Sequence, residues 1–96
     1  MKVLVTLQPV AGVKPEDLRA HIVEENQAVW ELYKADTIRE MYFRGDGRGA
    51  IFVLELANID AAEEAFSSLP MVRDGLLIAE FIPLNPFTQL EYAFAK

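Results

Sequence analysis

Two side chains capable of proton transfer lie close together in the segment HIVEEN, residues 21–26, which contains the only histidine of the chain. Counted at about 100° per residue, Glu25 falls inside the apolar stripe of a predicted helix, and His21 lies one turn earlier at its edge. The stripe is formed by Leu18, Ile22, Val29 and Leu32. Desolvation of an unpaired carboxylate raises its pKa, as in general bases that work near neutral pH. We therefore expect Glu25 to face a pocket as a base, with His21 at its mouth; the alternatives are a solvated rim carboxylate and a half-exposed packing histidine.

The predicted second strand adds polar side chains, with Arg39 on one face and Glu40, Tyr42 and Arg44 on the other. If the Tyr42 face looks toward the helices, Tyr42 becomes the hydrogen-bonding neighbour of Glu25, and Glu80 can serve as a further acid in the same cavity. The opposite parity instead places Arg39, Glu55 and Glu80 in ion pairs between protomers. Both parities remain open. The candidate catalytic residues are Glu25, His21 and Tyr42, and the candidate ligand-binding residues are Ile22, Val29, Arg39, Arg44 and Glu80.

The composition excludes several classes of function. Residues 1–96 are expected to form one domain, in which 52% of the residues are hydrophobic. No apolar run approaches the roughly 18 residues that span a bilayer, and the first residues lack the apolar region of a signal peptide. The absence of cysteine and the single histidine argue against a metal site, and a net charge of −6 argues against nucleic-acid binding. We expect a cytoplasmic protein that works without a cofactor.

Local patterns predict four strands and two helices. Residues 2–8 and 75–84 are β-rich, residues 15–34 form a helix that begins at Pro15, and two further strands join at Gly45-Asp46-Gly47. Asp60 and Glu63 have the spacing of a capping box for a second helix, which ends before Pro70. Within the turn, Arg44-Gly45-Asp46 spells a cell-adhesion tripeptide, which we interpret as turn chemistry only. The order β-α-β-β-α-β predicts a ferredoxin-like α+β fold with both helices on one face of a four-stranded antiparallel sheet.

The strand sequences predict that both faces of this sheet leave water. Residues 3–5, 51–54 and 76–79 are apolar at successive positions, although an antiparallel sheet with one wet face should alternate. The helices can cover one face only, and the other would be a larger apolar patch than soluble monomers expose. We therefore expect a second copy of the chain on the second face, giving a homodimer or a higher homo-oligomer. The alternative is a monomer with an apolar sheet surface.

The chain resembles the muconolactone isomerase-like proteins of the dimeric α+β barrel superfamily. The resemblance is carried by WELYKADTIREMYFRGDGRGAIFVLEL at residues 30–56, by SSLPMV at 67–72 and by EFIPLNPF at 80–87. It implies protomers packed sheet to sheet, larger rings of dimers, and a small apolar pocket between sheet and helices. For true members it also implies cofactor-free proton transfer or lactone isomerisation. No isomerase acid or base matches a position of this chain, so the resemblance supplies no catalytic residue.

Three functions are compatible with these patterns. The leading hypothesis is a homo-oligomer that binds a small cyclic or lactone-type metabolite and acts as a cofactor-free isomerase or lyase. The second is a non-catalytic ligand-sensing or structural module, and the third is a cofactor-free monooxygenase. A hollow pocket with a perturbed Glu25 carboxylate favours catalysis, whereas a filled interior with paired charges favours the module.

Overall fold

The computed structural model describes residues 1–94 and confirms the ferredoxin-like order of strands and helices. The sheet has the order β2-β3-β1-β4, and every neighbouring pair of strands is antiparallel. Among the described residues, none of the helices is long and apolar enough to cross a membrane. The elements are β1 Lys2–Pro9, α1 Pro15–Arg19, α2 Ile22–Lys34, β2 Ile38–Phe43, β3 Ala50–Glu55, α3 Ile59–Ser67, α4 Pro70–Arg73, β4 Leu77–Leu84 and a 3₁₀ helix at Thr88–Phe94.

One face of the sheet, which we call the covered face, packs against the helices and forms the core. The alternate residues Val3, Val5 and Leu7 of β1 are buried on this face. Phe66 of α3 is completely buried between two rings of the sheet, with ring centroids 5.2 Å from Phe52 and 6.3 Å from Phe81. Both pairs meet edge to face, the favourable arrangement for aromatic rings. These contacts fix α3 on the sheet.

The opposite side of the sheet, which we call the bare face, carries the other parity of each strand. Thr6 of β1 lies between Ile51 and Glu80 in the strand register, and Ile51 is in turn paired with Tyr42. Its apolar residues are accessible in the isolated chain, where Ile78 is 51% and Ile82 is 45% exposed. The predicted apolar second face therefore exists in the single chain, and Tyr42 and Glu80 belong to it.

The predicted helix over residues 15–34 is interrupted between Arg19 and Ile22. The backbone N–H of His21 donates to the carbonyl of Leu18 instead of that of Asp17, at 3.0 Å. The Asp17 carbonyl then accepts from Nδ1 of the His21 ring at 3.2 Å. A side chain thus replaces one helical hydrogen bond, and the chain restarts at Ile22 as a separate helix, α2.

The predicted capping box at Asp60 is wrong. The N-cap of α3 is Asn58, whose Oδ1 accepts from the backbone N–H of Ala61 at 2.8 Å. Asn, Asp, Ser and Thr are all good N-caps, so two candidates two residues apart compete for this role. The structure places Asp60 in the first turn of α3, where a carboxylate still interacts favourably with the helix dipole.

The turn between β2 and β3 spans residues 44–49 and depends on Gly49. Its φ of +124° is rare for residues with a side chain, and a Cβ there would lie 2.0 Å from the carbonyl oxygen of Leu7. The Arg44 side chain forms two hydrogen bonds with Asp46, of 3.0 and 2.6 Å. The interpretation of Arg44-Gly45-Asp46 as turn chemistry fits this internal pairing.

Candidate active site

A cavity of about 430 Å³ lies between α2 and the covered face and opens on one side to solvent. Its volume is typical of pockets that hold small molecules. The walls are almost entirely apolar, and Glu25 and Asn26 of α2 project polar side chains into them. The lining residues are Leu7, Pro9, Leu18, Ile22, Glu25, Asn26, Val29, Met41, Tyr42, Phe43, Gly49, Ala50, Phe52, Met71 and Leu77.

Glu25 is the one charged residue buried within residues 1–94, with 6% of its surface exposed. Its Oε1 accepts a 2.9 Å hydrogen bond from the backbone N–H of Met71, which joins α2 to α4. Burial raises the pKa of the Glu25 carboxyl above its usual value, while the Met71 N–H and the positive charge of His21 act in the opposite direction. The carboxylate is therefore held in place by a neutral donor and is easier to protonate than one in water.

The second oxygen of Glu25, Oε2, accepts no hydrogen bond from the residues that the structure describes. No fully buried side-chain oxygen is left without a partner in this part of the chain, so Oε2 is not fully enclosed, and Glu25 is one of the residues that line the cavity. An acceptor that is fixed at one oxygen and free at the other suits a base, because a ligand proton can reach the free oxygen.

Tyr42 is not the hydrogen-bonding partner of Glu25, so that prediction is wrong. Its hydroxyl donates to Glu40 Oε1 at 2.8 Å, and this bond raises the pKa of the Tyr42 phenol. The reason is a β-bulge between Ile38 and Glu40, since buried Ile38 pairs with Leu54 whereas Tyr42 pairs with Ile51 on the bare face. Counting by twos from Ile38 would put Tyr42 on the covered face, and the extra residue reverses that parity. Tyr42 still borders the cavity.

His21 lies beside the cavity and is not among its lining residues, so its predicted place at the mouth is not observed. Its Nε2 is 3.3 Å from Asp74 Oδ2, just after α4. Arg73 joins the same cluster by hydrogen bonds to Glu24 at 3.1 Å and to Asp74 at 2.9 Å. These contacts hold the start of α2 against α4. Because α4 carries the Met71 N–H, they also help to position this hydrogen-bond donor relative to Glu25.

The remaining candidate residues divide between the cavity and the surface. Ile22 and Val29 line the cavity. Arg39 donates from Nε to the Asp36 carbonyl at 2.8 Å, and Arg44 is paired with Asp46 in the hairpin turn. Tyr42 lines the same cavity as Glu25, although its hydroxyl bonds to Glu40, whereas Glu80 lies on the bare face and its predicted convergence with Glu25 does not occur.

Sequence reasoning missed Met71, the residue that holds the Glu25 carboxylate. The contact uses a backbone N–H, so the side chain of Met71 gives no sign of it. A weak signal existed in Pro70, because proline is favoured at the first turn of a helix, where backbone N–H groups are unpaired. Within residues 1–94, no three His, Cys, Asp or Glu side chains are grouped as metal ligands.

Solved structures of other proteins share this architecture, including two enzymes. One is muconolactone isomerase, which aligns with a TM-score of 0.71 and 17% sequence identity over 90% of each chain. The chain has the fold of muconolactone isomerase. The other is 5-chloro-2-hydroxyhydroquinone dehydrochlorinase from Burkholderia phenoliruptrix AC1100 in complex with 2,5-dihydroxybenzoquinone, with a TM-score of 0.64 and 14% identity over 93% of this chain and 98% of that chain.

The likeness to muconolactone isomerase is one of fold. No model of a known protein family matches the sequence, and no curated protein matches it. The resemblance predicted from the sequence is confirmed at the level of the fold, and the chemistry has to be argued from the cavity itself.

Proposed function

We propose that the protein binds a small, partly apolar cyclic metabolite in the cavity and catalyses a cofactor-free proton transfer, as an isomerase or lyase, with Glu25 as the base. The observation that carries the proposal is a buried carboxylate in the lining of an open apolar cavity, with one oxygen fixed by Met71 N–H and the other without a hydrogen-bond partner among the described residues. Perturbed carboxylates in pockets are frequent at catalytic sites. The dehydrochlorinase with the same fold is in complex with a cyclic quinone, which supports a ring-shaped ligand.

In the proposed reaction, Glu25 Oε2 removes a proton from a carbon next to a ligand carbonyl and returns it to another carbon of the same ligand. The bonding electrons move into the carbonyl to form an enolate, so an isomerisation needs no oxidant or other reactant. The Met71 N–H keeps the carboxylate in place, and the apolar walls exclude water. Asn26, which follows Glu25 in α2, also lines the cavity, and its polar side chain is proposed to orient the ligand.

The open cavity favours this function over a non-catalytic module. A module filled by its own side chains would leave no space of about 430 Å³ beside Glu25, and a structural carboxylate would be paired with a cation. A cofactor-free monooxygenase remains an alternative for the same cavity, and consumption of oxygen in the presence of a ring substrate would identify it.

We also propose that the bare face is the surface of a homodimer. Residues such as Ile78, Ile82 and Leu84 are accessible there in the protomer, and their burial would contribute about 25 cal/mol per Å² of apolar area. A second copy of the chain presents the same apolar surface and covers it symmetrically. Analytical ultracentrifugation at micromolar concentration should give a mass of at least twice 10.8 kDa, and a stable monomer would refute the dimer.

The cytoplasmic location expected from the sequence is retained as a prediction.

The proposed base is tested by comparing Glu25→Gln with Glu31→Gln. Both remove one negative charge from α2, but Glu31 is exposed and pairs with Lys34 at 3.1 Å. The assay follows the isomerisation of an unsaturated lactone, such as an angelica lactone, and its deuterium uptake in heavy water by NMR. We expect Glu25→Gln to lower the enzyme-dependent rate by about 10²-fold or more and Glu31→Gln to retain it. Equal rates in both variants and the parent would rule out Glu25 as the base.

A further inference from the structure

Among the described residues, those that line the cavity include a negatively charged side chain and no positively charged one. Within the described residues, Glu25 is the one ionisable carboxylate in the lining, and no lysine, arginine or histidine belongs to it. The formal net charge of the chain is −6, so the protein as a whole does not attract anions. A ligand that enters the cavity therefore meets a carboxylate and apolar walls.

Three basic side chains within two residues of the lining residues are paired with acidic partners, namely Arg44, Arg73 and His21, whose Nε2 lies 3.3 Å from Asp74. Arg73 bonds to Glu24 and Asp74, and Arg44 holds Asp46 through two hydrogen bonds. Redirecting either arginine toward a ligand would break charge-assisted hydrogen bonds that are already formed. Neither residue is available to bind the anionic group of a ligand.

A ligand carboxylate would be unfavourable in such a cavity. It would lose its hydration without gaining a cation, and it would lie close to the Glu25 carboxylate where little water screens the repulsion. A hydroxyl group behaves differently, because its O–H can donate to the free Oε2 of Glu25 and satisfy that oxygen. The arrangement therefore separates ligands by charge more strongly than by shape.

We propose that the cavity selects uncharged ring compounds that donate a hydroxyl hydrogen bond to Glu25 and rejects the corresponding carboxylates. This selectivity deepens the proposed function and rests on it. It assigns to Glu25 a role in specificity that is separate from proton transfer, because the carboxylate excludes anions whether or not a proton is moved. A compact ammonium group is attracted to the Glu25 carboxylate, but it is strongly hydrated and the apolar walls replace little of that hydration, so it gains no advantage over a neutral hydroxyl.

Three matched probes test the selectivity on the intact oligomer: meta-hydroxybenzyl alcohol, meta-hydroxybenzoate and meta-hydroxybenzylamine. They share the ring and the phenol and differ in one group that is neutral, negative or positive at neutral pH. Binding is measured by NMR titration, with the backbone amide signal of Met71 as the reporter next to Glu25. We expect the alcohol to bind at least about ten-fold more tightly than the benzoate and no less tightly than the amine.

Glu25→Gln should reduce the preference for the alcohol over the benzoate to less than about three-fold, and Glu31→Gln should leave it unchanged, because only Glu25 lies in the cavity. A benzoate that binds as tightly as the alcohol, an amine that binds more tightly, or a preference that persists in Glu25→Gln would each overturn the selectivity while leaving ligand binding intact. If no probe shifts the Met71 signal at millimolar concentration, the proposal of a ring-binding cavity fails together with its selectivity.

Discussion

The covered and bare faces of the sheet present similar apolar residues, but the carboxylates beside them differ in solvent exposure. On the covered side, Val3 and Val5 are fully buried, and Glu25 is enclosed with its pKa raised by desolvation. On the bare side of the single chain, Ile78 and Ile82 are about half exposed, and Glu80 is exposed as well. In the single chain, enclosure beneath a helix, and not residue type, therefore distinguishes the Glu25 carboxylate from that of Glu80.

The largest effect is expected in the core of the covered face. Phe66→Ala removes a ring packed between Phe52 and Phe81 and should lower the free energy of unfolding by about 3–5 kcal/mol. Phe87→Ala, at a position 75% exposed, is the matched control and should change it by less than about 0.5 kcal/mol. Urea unfolding measures both values. Similar losses in the two variants would mean that the exposed ring of Phe87 contributes as much stability as the buried ring of Phe66.

Disrupting the bare face should change assembly before it changes the fold. Ile82→Lys places a charge in the middle of the proposed dimer surface, where Ile82 pairs with Leu4 across the sheet. We expect dissociation to a species of 10.8 kDa in ultracentrifugation, with a far-ultraviolet circular dichroism spectrum like that of the parent. Gln27→Lys, at an exposed position of α2, adds the same charge and should leave the mass unchanged. An unchanged mass in Ile82→Lys would place the dimer contact elsewhere.

The hairpin between β2 and β3 borders the cavity on the covered side, so substitutions in it test how tightly that side is packed. Gly49→Ala puts a Cβ against the Leu7 carbonyl and a side chain at positive φ, so it should cost about 1–3 kcal/mol of unfolding free energy. Gly45→Ala is the matched control, since a Cβ there meets no atom within 4 Å. Thermal unfolding of the two variants separates them, and an equal midpoint for both would contradict the close approach of Gly49 to β1.

The smallest expected effect is the pH dependence of stability that Glu25 introduces. Its folded pKa is raised above the ordinary value of 4.5, so the folded state holds this proton more tightly than the unfolded state. The resulting contribution to stability is fully present below pH 4.5 and is lost as pH rises through the raised pKa. A tenfold difference in proton affinity between the two states corresponds to about 1.4 kcal/mol. Urea unfolding between acidic and neutral pH should show this decline in the parent and not in Glu25→Gln; parallel curves would contradict it.

The sequence predicted the order of elements because each strand is bounded by Gly, Pro or Asp and the helix stripes have a 3.6-residue period. The same period placed Glu25 toward the sheet, where the structure finds it. It could not anticipate the interruption at His21, since a ring nitrogen takes over the Asp17 carbonyl without disturbing the apolar spacing. The parity of Tyr42 was also beyond reach, because one bulged residue after Ile38 reverses it.

The hydrogen bond from Met71 to Glu25 has a consequence for evolution and for exchange experiments. Every amino acid except proline supplies the same backbone N–H, so this hydrogen bond places no requirement on the side chain at position 71, which is constrained only by its own burial. Co-variation between positions 25 and 71 is therefore expected to be weak even though the two are in direct contact. The amide proton itself is bonded and enclosed, and slow exchange of this single hydrogen with deuterium would report that the carboxylate is docked.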